Sequence, residues 1–167
     1  LLSAKAMLSG DITVFGSDQW RPFVHVDDAA RAFELALKAP AAAVANQAFN
    51  VGSNGQNMTL MQLAQTINQM VPTSRILVTD ENVDRRNYRV NFDKIARVLG
   101  FSPRWTLQQG IQQVIDAVKS GKVTDIDQPM FSNLRLIRER GKELFKKTYN
   151  HGWEDDYLAQ LSVEHKE

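Results

Sequence analysis

Short apolar runs, Ile12-Thr13-Val14-Phe15, Phe23-Val24-His25-Val26, Ala48-Phe49-Asn50-Val51 and Ile76-Leu77-Val78, alternate with longer stretches whose apolar residues recur at helical spacing. Strands of this length cannot bury a core by pairing with one another, so helices must supply most of it. The interleaving predicts an α/β fold that is small, mixed and helix-rich, with short strands.

The helical stretches carry their own boundaries. Leu1 to Leu8 has a helical pattern with no initiator Met and no capping residue ahead of it, and reads as a chain entered mid-element rather than begun. Gly10-Asp11 marks a turn, and Gly16 ends the first apolar run. Asp27 and Asp28 suit a helix N-terminus, and Ala29, Ala30, Phe33, Ala36 and Leu37 supply a buried face for a helix that stops before Pro40. Residues 40–45 read as a surface connection, and 53–57 as a polar loop. Thr59 with Gln62, and Thr106 with Gln109, have the form of capping boxes. The first opens a helix with Leu60, Leu63, Ala64, Ile67 and Val71 on one side, the second a helix with Leu107, Ile111, Val114, Ile115 and Val118. Residues 92–99 form a shorter helix stopped by Gly100.

Composition narrows the function classes. The 167 residues are 43% hydrophobic and carry 20 Lys and Arg against 19 Asp and Glu, which fits one globular body without the charge field of a nucleic-acid or membrane-surface binder. No apolar run approaches the roughly 20 residues of a membrane span, and the start lacks the layout of a signal peptide, so a cytoplasmic location is expected. The chain has no cysteine, which removes disulfides, thiolate metal sites and Cys nucleophiles. His151 and His165 fall in a polar tail, and no pair of histidines has metal-ligand spacing, so no metal is expected. His25, set in a Val-His-Val run, reads as a hydrogen-bonded structural histidine. Beyond residue 124 the composition changes, and the mixed-sign run from Arg138 to Lys147 reads as a solvated helix face. The expected organisation is a main body over residues 1–123 and a helical appendage with a tail over 124–167.

Five landmarks occur in a telling order: the strand ending in Gly16; Arg21-Pro22-Phe23-Val24-His25-Val26-Asp27-Asp28; Phe49-Asn50-Val51-Gly52-Ser53; Asp84-Arg85-Arg86-Asn87-Tyr88; and Leu99-Gly100-Phe101-Ser102-Pro103. Together they resemble the C-terminal, substrate-binding region of extended short-chain dehydrogenases/reductases, the NAD-dependent nucleotide-sugar epimerases and dehydratases. The resemblance covers about residues 1–120. It implies a substrate-binding lobe normally packed on a Rossmann-type cofactor domain, which this chain does not include, and a nucleoside-diphosphate sugar as ligand.

The resemblance also implies site residues. Val14 and Phe15 correspond to the segment that lines the nucleobase pocket, partly through backbone groups, although both read equally well as core. Arg21 matches an arginine set against the substrate diphosphate, a role suited to a planar guanidinium; it could instead stack on Trp20. Asn50, Ser53 and Asn57 lie where relatives present small polar groups to the substrate, and Asn50 could equally satisfy local backbone. Family members often carry R-x-G-D-x-R in the next landmark, and here Glu81 stands at the first arginine position. Arg86 matches the later arginine, with Arg85 and Arg89 as alternatives for the vacancy.

Two hallmarks of the family's chemistry are absent. None of Tyr88, Tyr149 and Tyr157 has a lysine four residues later, so no Y-x-x-x-K pair supplies a phenolate base. Gly52 and Gly55 form only a G-x-x-G fragment of a dinucleotide-binding turn. No catalytic or cofactor-binding residue is therefore expected in this chain, and NAD or NADP belongs to the full-length parent. The run at 49–51 resembles a strand that adds to the cofactor-domain sheet, so the partners implied are that domain or, in its absence, a second copy of the chain. A non-catalytic sensor or protein-interaction module on the same fold is the alternative, and a Y-x-x-x-K pair in the parent sequence would discriminate against it.

Overall fold

The computed structural model describes residues 1–79 and 86–148, except for the side chains of 142 and 144–148. A first compact unit, Leu1–Thr124, is followed by a second that begins at Asp125.

The first unit is a mixed α/β body. Helix α1 (Leu2–Leu8) leads through Gly10 into strand β1 (Asp11–Phe15), which pairs in parallel with β4 (Arg75–Thr79), Ile12 opposite Ile76 and Val14 opposite Val78. Alternation along β1 sends Ile12 and Val14 into the core. Helices α4 (Leu60–Met70) and α6 (Leu107–Lys119) contact α1 and each other, and with β1 they enclose Ala6, Ile12, Val14, Leu63, Ala64, Ile67, Ile111 and Ile115. The small residues Ser3, Ala4 and Ala6 are the buried ones on α1, which lets that helix approach closely. Both expected capping boxes form: Thr59 and Gln62, and Thr106 and Gln109, satisfy one another's backbone N–H groups at the starts of α4 and α6.

A second, antiparallel pair joins β2 (Trp20–Pro22) to β3 (Asn57–Thr59), with Arg21 opposite Met58. The β-type run expected at 23–26 is displaced. Only Phe23 continues the ladder, donating its N–H to Gln56 O at 3.1 Å, and Val26 already begins helix α2 (Val26–Lys38). His25 decides this boundary, because its Nδ1 accepts the Asp27 N–H at 3.2 Å and caps the helix.

Helix α2 also faces the other way from its sequence pattern. Phe33 and Leu37 are 73% and 86% exposed, and the buried residues of α2 are Asp28 and Ala32. The reason lies in tertiary contacts. Ala32 packs with Phe92, Ile95 and Phe101, while the carboxylate of Asp28 accepts the N–H groups of Arg104 and Trp105 and a bond from Arg31.

Residues 40–45 contain a one-turn helix α3 (Ala41–Val44). The run 48–51 has no ladder partner among the described residues; Phe49 and Val51 instead pack at the edge of the Phe92 cluster. Gly52 follows because the Phe92 ring rests on its Cα: a Cβ there would lie 2.7 Å from the ring. A single 3-10 turn (Asn54–Gln56) opens the way to β3, and helix α5 (Asp93–Leu99) ends at Gly100 in the left-handed conformation, φ +62°.

In the second unit a 3-10 turn (Pro129–Phe131) precedes helix α7 (Asn133–Thr148), where Arg135 with Glu139 and Arg140 with Glu143 pair on the surface and Leu134 and Ile137 are exposed. Among the described residues no helix is long and apolar enough to cross a membrane. His151 and His165 lie outside the described residues.

Candidate functional site

The site is built on strand β2. Its three residues alternate faces, so the neighbours Trp20 and Arg21 point opposite ways. Residues 87–89 run along the edge of β2 away from β3: Trp20 N donates to Asn87 Oδ1 at 3.0 Å, and Tyr88 N to Trp20 O at 3.4 Å. This returning segment brings a second set of cations to the strand.

Two cation–ring contacts result. The Arg21 guanidinium lies over the Tyr88 ring, 5.4 Å from its centroid, and the Arg89 guanidinium lies over Trp20 at 4.2 Å. These contacts put the Tyr88 ring on Arg21's side of β2 and the Arg89 side chain on Trp20's side. The indole therefore holds Arg89 and the phenol holds Arg21. Arg21 is further oriented by Nη1 donating to Trp20 O and Nη2 to Gln19 Oε1, both at 2.8 Å. It is half-buried, and Arg86, Tyr88 and Arg89 are exposed.

The segment carrying Arg86 and Tyr88 is tied to the body by asparagines. Asn57 accepts the Val90 N–H at 3.0 Å and donates to Val90 O at 2.9 Å; Asn54 accepts the Phe92 N–H at 3.0 Å and donates to Asp93 at 2.7 Å. Asn50 joins them with a 3.3 Å bond to Asn91 O. It also lines a shallow cleft with Pro22, Phe23 and Val24, the residues that follow Arg21. The Ser53 hydroxyl is occupied locally, accepting the Gly55 N–H at 3.3 Å to cap the 3-10 turn.

Val14 puts its side chain in the core at 2% exposure, whereas Phe15, at the end of β1, is 42% exposed. What β1 can offer a ligand is thus Phe15 and main-chain groups along the edge opposite β4, where no strand pairs among the described residues. Glu81, Asp84 and Arg85 lie outside the described residues.

His25 has only structural bonds: Nδ1 caps α2, Nε2 meets Gln113 Oε1 at 2.7 Å, and the ring stacks on Trp105 with centroids 4.1 Å apart. Nδ1 accepts, so the proton sits on Nε2 and points at the glutamine. Asp28 is the most buried carboxylate among the described residues of the body. Burial pushes its carboxyl up, but the N–H groups of Arg104 and Trp105 and the Arg31 guanidinium outweigh that and hold it below the usual range.

A cleft of about 460 Å³ lies elsewhere, between α1, α4, α6 and residues 23–25. Its lining includes Leu2, Phe23, Leu63, Leu107, Ile111 and Val114, with Ser3, His25, Gln56 and Thr106 as polar members and no Lys or Arg, so it lacks the guanidinium or ammonium partner of a diphosphate.

Gln19 is the residue of this site that sequence reasoning passes over; it names Asn57 and Tyr88, but not as the clamp on Val90 and the ring under Arg21. The spacing of Gln19 two before Arg21 was visible, but the pairing of residues 87–89 with β2 was not, since it joins positions 67 apart.

Comparison with known proteins agrees with the order of the landmarks. Residues 1–52 match the family model for the NAD-dependent epimerase/dehydratase family. The chain is 32% identical over 109 residues to dTDP-glucose 4,6-dehydratase of Actinoplanes sp., covering 63% of this chain and 33% of that protein. It is 30% identical over 128 residues to the dTDP-glucose 4,6-dehydratase of Xanthomonas campestris, 70% of this chain and 36% of that one. The chain belongs to the NAD-dependent epimerase/dehydratase family. It spans about a third of the length of these curated relatives.

The fold of this epimerase/dehydratase chain matches solved structures over the same portion. UDP-glucose 4-epimerase from Thermotoga maritima, solved with UDP-glucose, aligns with TM-score 0.60 at 24% identity, over 72% of this chain and 38% of that one. L-threonine dehydrogenase from Clostridium difficile aligns with TM-score 0.62 at 13% identity, over 73% and 40%. A sugar-nucleotide enzyme and an amino-acid enzyme thus share this architecture, so the ligand must be argued from the site.

Proposed function

We propose that residues 1–123 are the nucleotide-sugar-binding lobe of an NAD-dependent sugar epimerase or dehydratase, forming the C-terminal portion of a longer polypeptide, with 124–167 a helical appendage. Arg21 and Arg86 bind the diphosphate, and Phe15 with the free edge of β1 receives the nucleobase. The observation that carries this reading is Arg21, a guanidinium held in one plane on the Tyr88 ring, with Arg86 two residues before Tyr88 in the returning segment. A fork held this way suits bidentate contact with phosphate oxygens. Asn50 lines the adjoining cleft and would meet the sugar or the second phosphate. Ser53 has its hydroxyl in a turn, so its part would be indirect.

The chain's own residues do not fit NAD. Its one G-x-x-G stretch runs into a three-residue turn rather than a helix, and the Phe92 ring covers the Cα of Gly52 where a pyrophosphate would need close approach. NAD or NADP would be held, and the redox chemistry performed, by another part of the parent. What this lobe contributes is binding and orientation of the nucleotide, which fixes where the sugar carbon sits. The α2 stripe Val26, Phe33 and Leu37, together with the unpaired run 49–51, supports a neighbouring domain as cover, with a second copy of the chain as the substitute when that domain is missing.

The test is titration of the chain with UDP-, dTDP-, GDP- and CDP-sugars by ligand-observed NMR. At least one should bind, and Arg21→Ala should weaken it tenfold or more. A folded sample that binds none of them overturns the reading.

A further inference from the structure

Gln19 is a buried polar side chain, 5% exposed, two residues before Arg21. Its environment fixes it firmly. The Gln19 N–H donates to Gly16 O at 3.0 Å, and its carbonyl accepts the Leu60 N–H at 3.0 Å, which docks the 16–19 turn on the start of α4; Met61 N–H to Ser17 O at 2.9 Å adds a second tie. The side chain packs on the bare Cα of Gly16: a Cβ there would come within 2.5 Å of Gln19 Nε2. Gly16 also has φ +58°, a conformation that side chains other than glycine's resist.

From this anchored position Gln19 Oε1 accepts Nη2 of Arg21 at 2.8 Å. A guanidinium only donates, so the amide must present its oxygen to it. The Trp20 carbonyl takes Nη1 at 2.8 Å, and two fixed acceptors, one on each terminal nitrogen, set the plane of the fork.

We propose that Gln19 is a positioning residue for diphosphate binding: it holds the Arg21 guanidinium in the plane that receives phosphate oxygens, before the ligand arrives. This rests on the reading of Arg21 as a diphosphate ligand. The benefit is preorganisation. An arginine that is already ordered loses less side-chain freedom on binding than one released into solvent.

Three variants of the chain test it. Gln19→Met keeps the volume and removes the acceptor; Gln19→Glu keeps the acceptor; Arg21→Lys keeps a charge without the fork. In the free wild-type protein the Arg21 Nη protons should appear as resolved, slowly rotating signals in a 15N-edited arginine spectrum. They should average in Gln19→Met and stay resolved in Gln19→Glu. Titrated with uridine and thymidine 5′-diphosphate, Gln19→Met should bind three- to tenfold more weakly than wild type, and the same substitution on the Arg21→Lys background should change affinity less than twofold. Gln19→Glu should also bind more weakly, because its charge opposes phosphate while Arg21 remains ordered.

An Arg21 spectrum unaltered by Gln19→Met, averaged signals in Gln19→Glu, or an equal loss of affinity in both arginine backgrounds each overturns the proposal. If wild type binds neither diphosphate, the diphosphate reading of Arg21 falls. The arginine spectra of the free protein still decide whether Gln19 orders that side chain.

Discussion

Asp28→Asn is the substitution whose consequence can be worked most fully. The carboxylate accepts Arg104 N–H at 2.9 and 3.0 Å through its two oxygens, Trp105 N–H at 2.9 Å, and Arg31 Nη2 at 3.1 Å, with its own side chain 1% exposed. Asparagine leaves one acceptor oxygen and turns an NH2 group towards a backbone N–H. One main-chain donor is then stranded, at about 1–3 kcal/mol. Arg31 also loses its countercharge, but the Ser102 carbonyl still receives it and it is 16% exposed, so this part falls below the range of a fully buried pair, at about 1 kcal/mol. The sum is about 3 kcal/mol, or roughly 10 °C in Tm for a unit of this size.

Urea denaturation followed by circular dichroism at pH 7 would measure it as a lower midpoint at unchanged slope. Acid supplies an independent check. The folded pKa of Asp28 is depressed, so its contribution is complete above the ordinary carboxylate value of about 3.9 and is lost as pH falls through the lower folded value. Wild type and Asp28→Asn should therefore converge as pH falls below that depressed folded value. A deficit under about 1 kcal/mol at pH 7, or one that persists undiminished in acid, would refute the idea that this carboxylate fastens α2 to residues 102–105.

Asn57→Ala removes both bonds to Val90 and should lower stability by about 1–2 kcal/mol; because Arg86 and Tyr88 hang on the same segment, nucleoside-diphosphate affinity should fall several-fold in a parallel titration. Gly52→Ala forces a Cβ to within 2.7–2.8 Å of the Phe92 ring and should lower stability by about 1–3 kcal/mol, read as a drop in the thermal midpoint.

Much of the local structure was legible in the sequence because its causes are local. The capping boxes at Thr59 and Thr106 form as their Thr-x-x-Gln spacing predicts, and Gly100 ends α5 as a left-handed residue. The short apolar run of residues 12–15, ended by Gly16, correctly assigns a strand, and the order of the landmarks points to the family. Arg21 is singled out as a candidate by its place ahead of the Val-His-Val run.

Tertiary structure decided the rest, since those features depend on partners distant in the chain. Helix periodicity shows that Phe33 and Leu37 share a face but not which face meets the core; that followed from Asp28 reaching Arg104 and Trp105. The strand at 20–22 rather than 23–26 follows from pairing with Asn57 to Thr59 and from His25 acting as a cap. The surroundings of Arg21, with Gln19 at its edge and Tyr88 beneath it, arise only once residues 87–89 return to β2. Capping and strand alternation are encoded within a few residues, whereas the direction a face points, and the company an arginine keeps, are fixed by contacts across the chain.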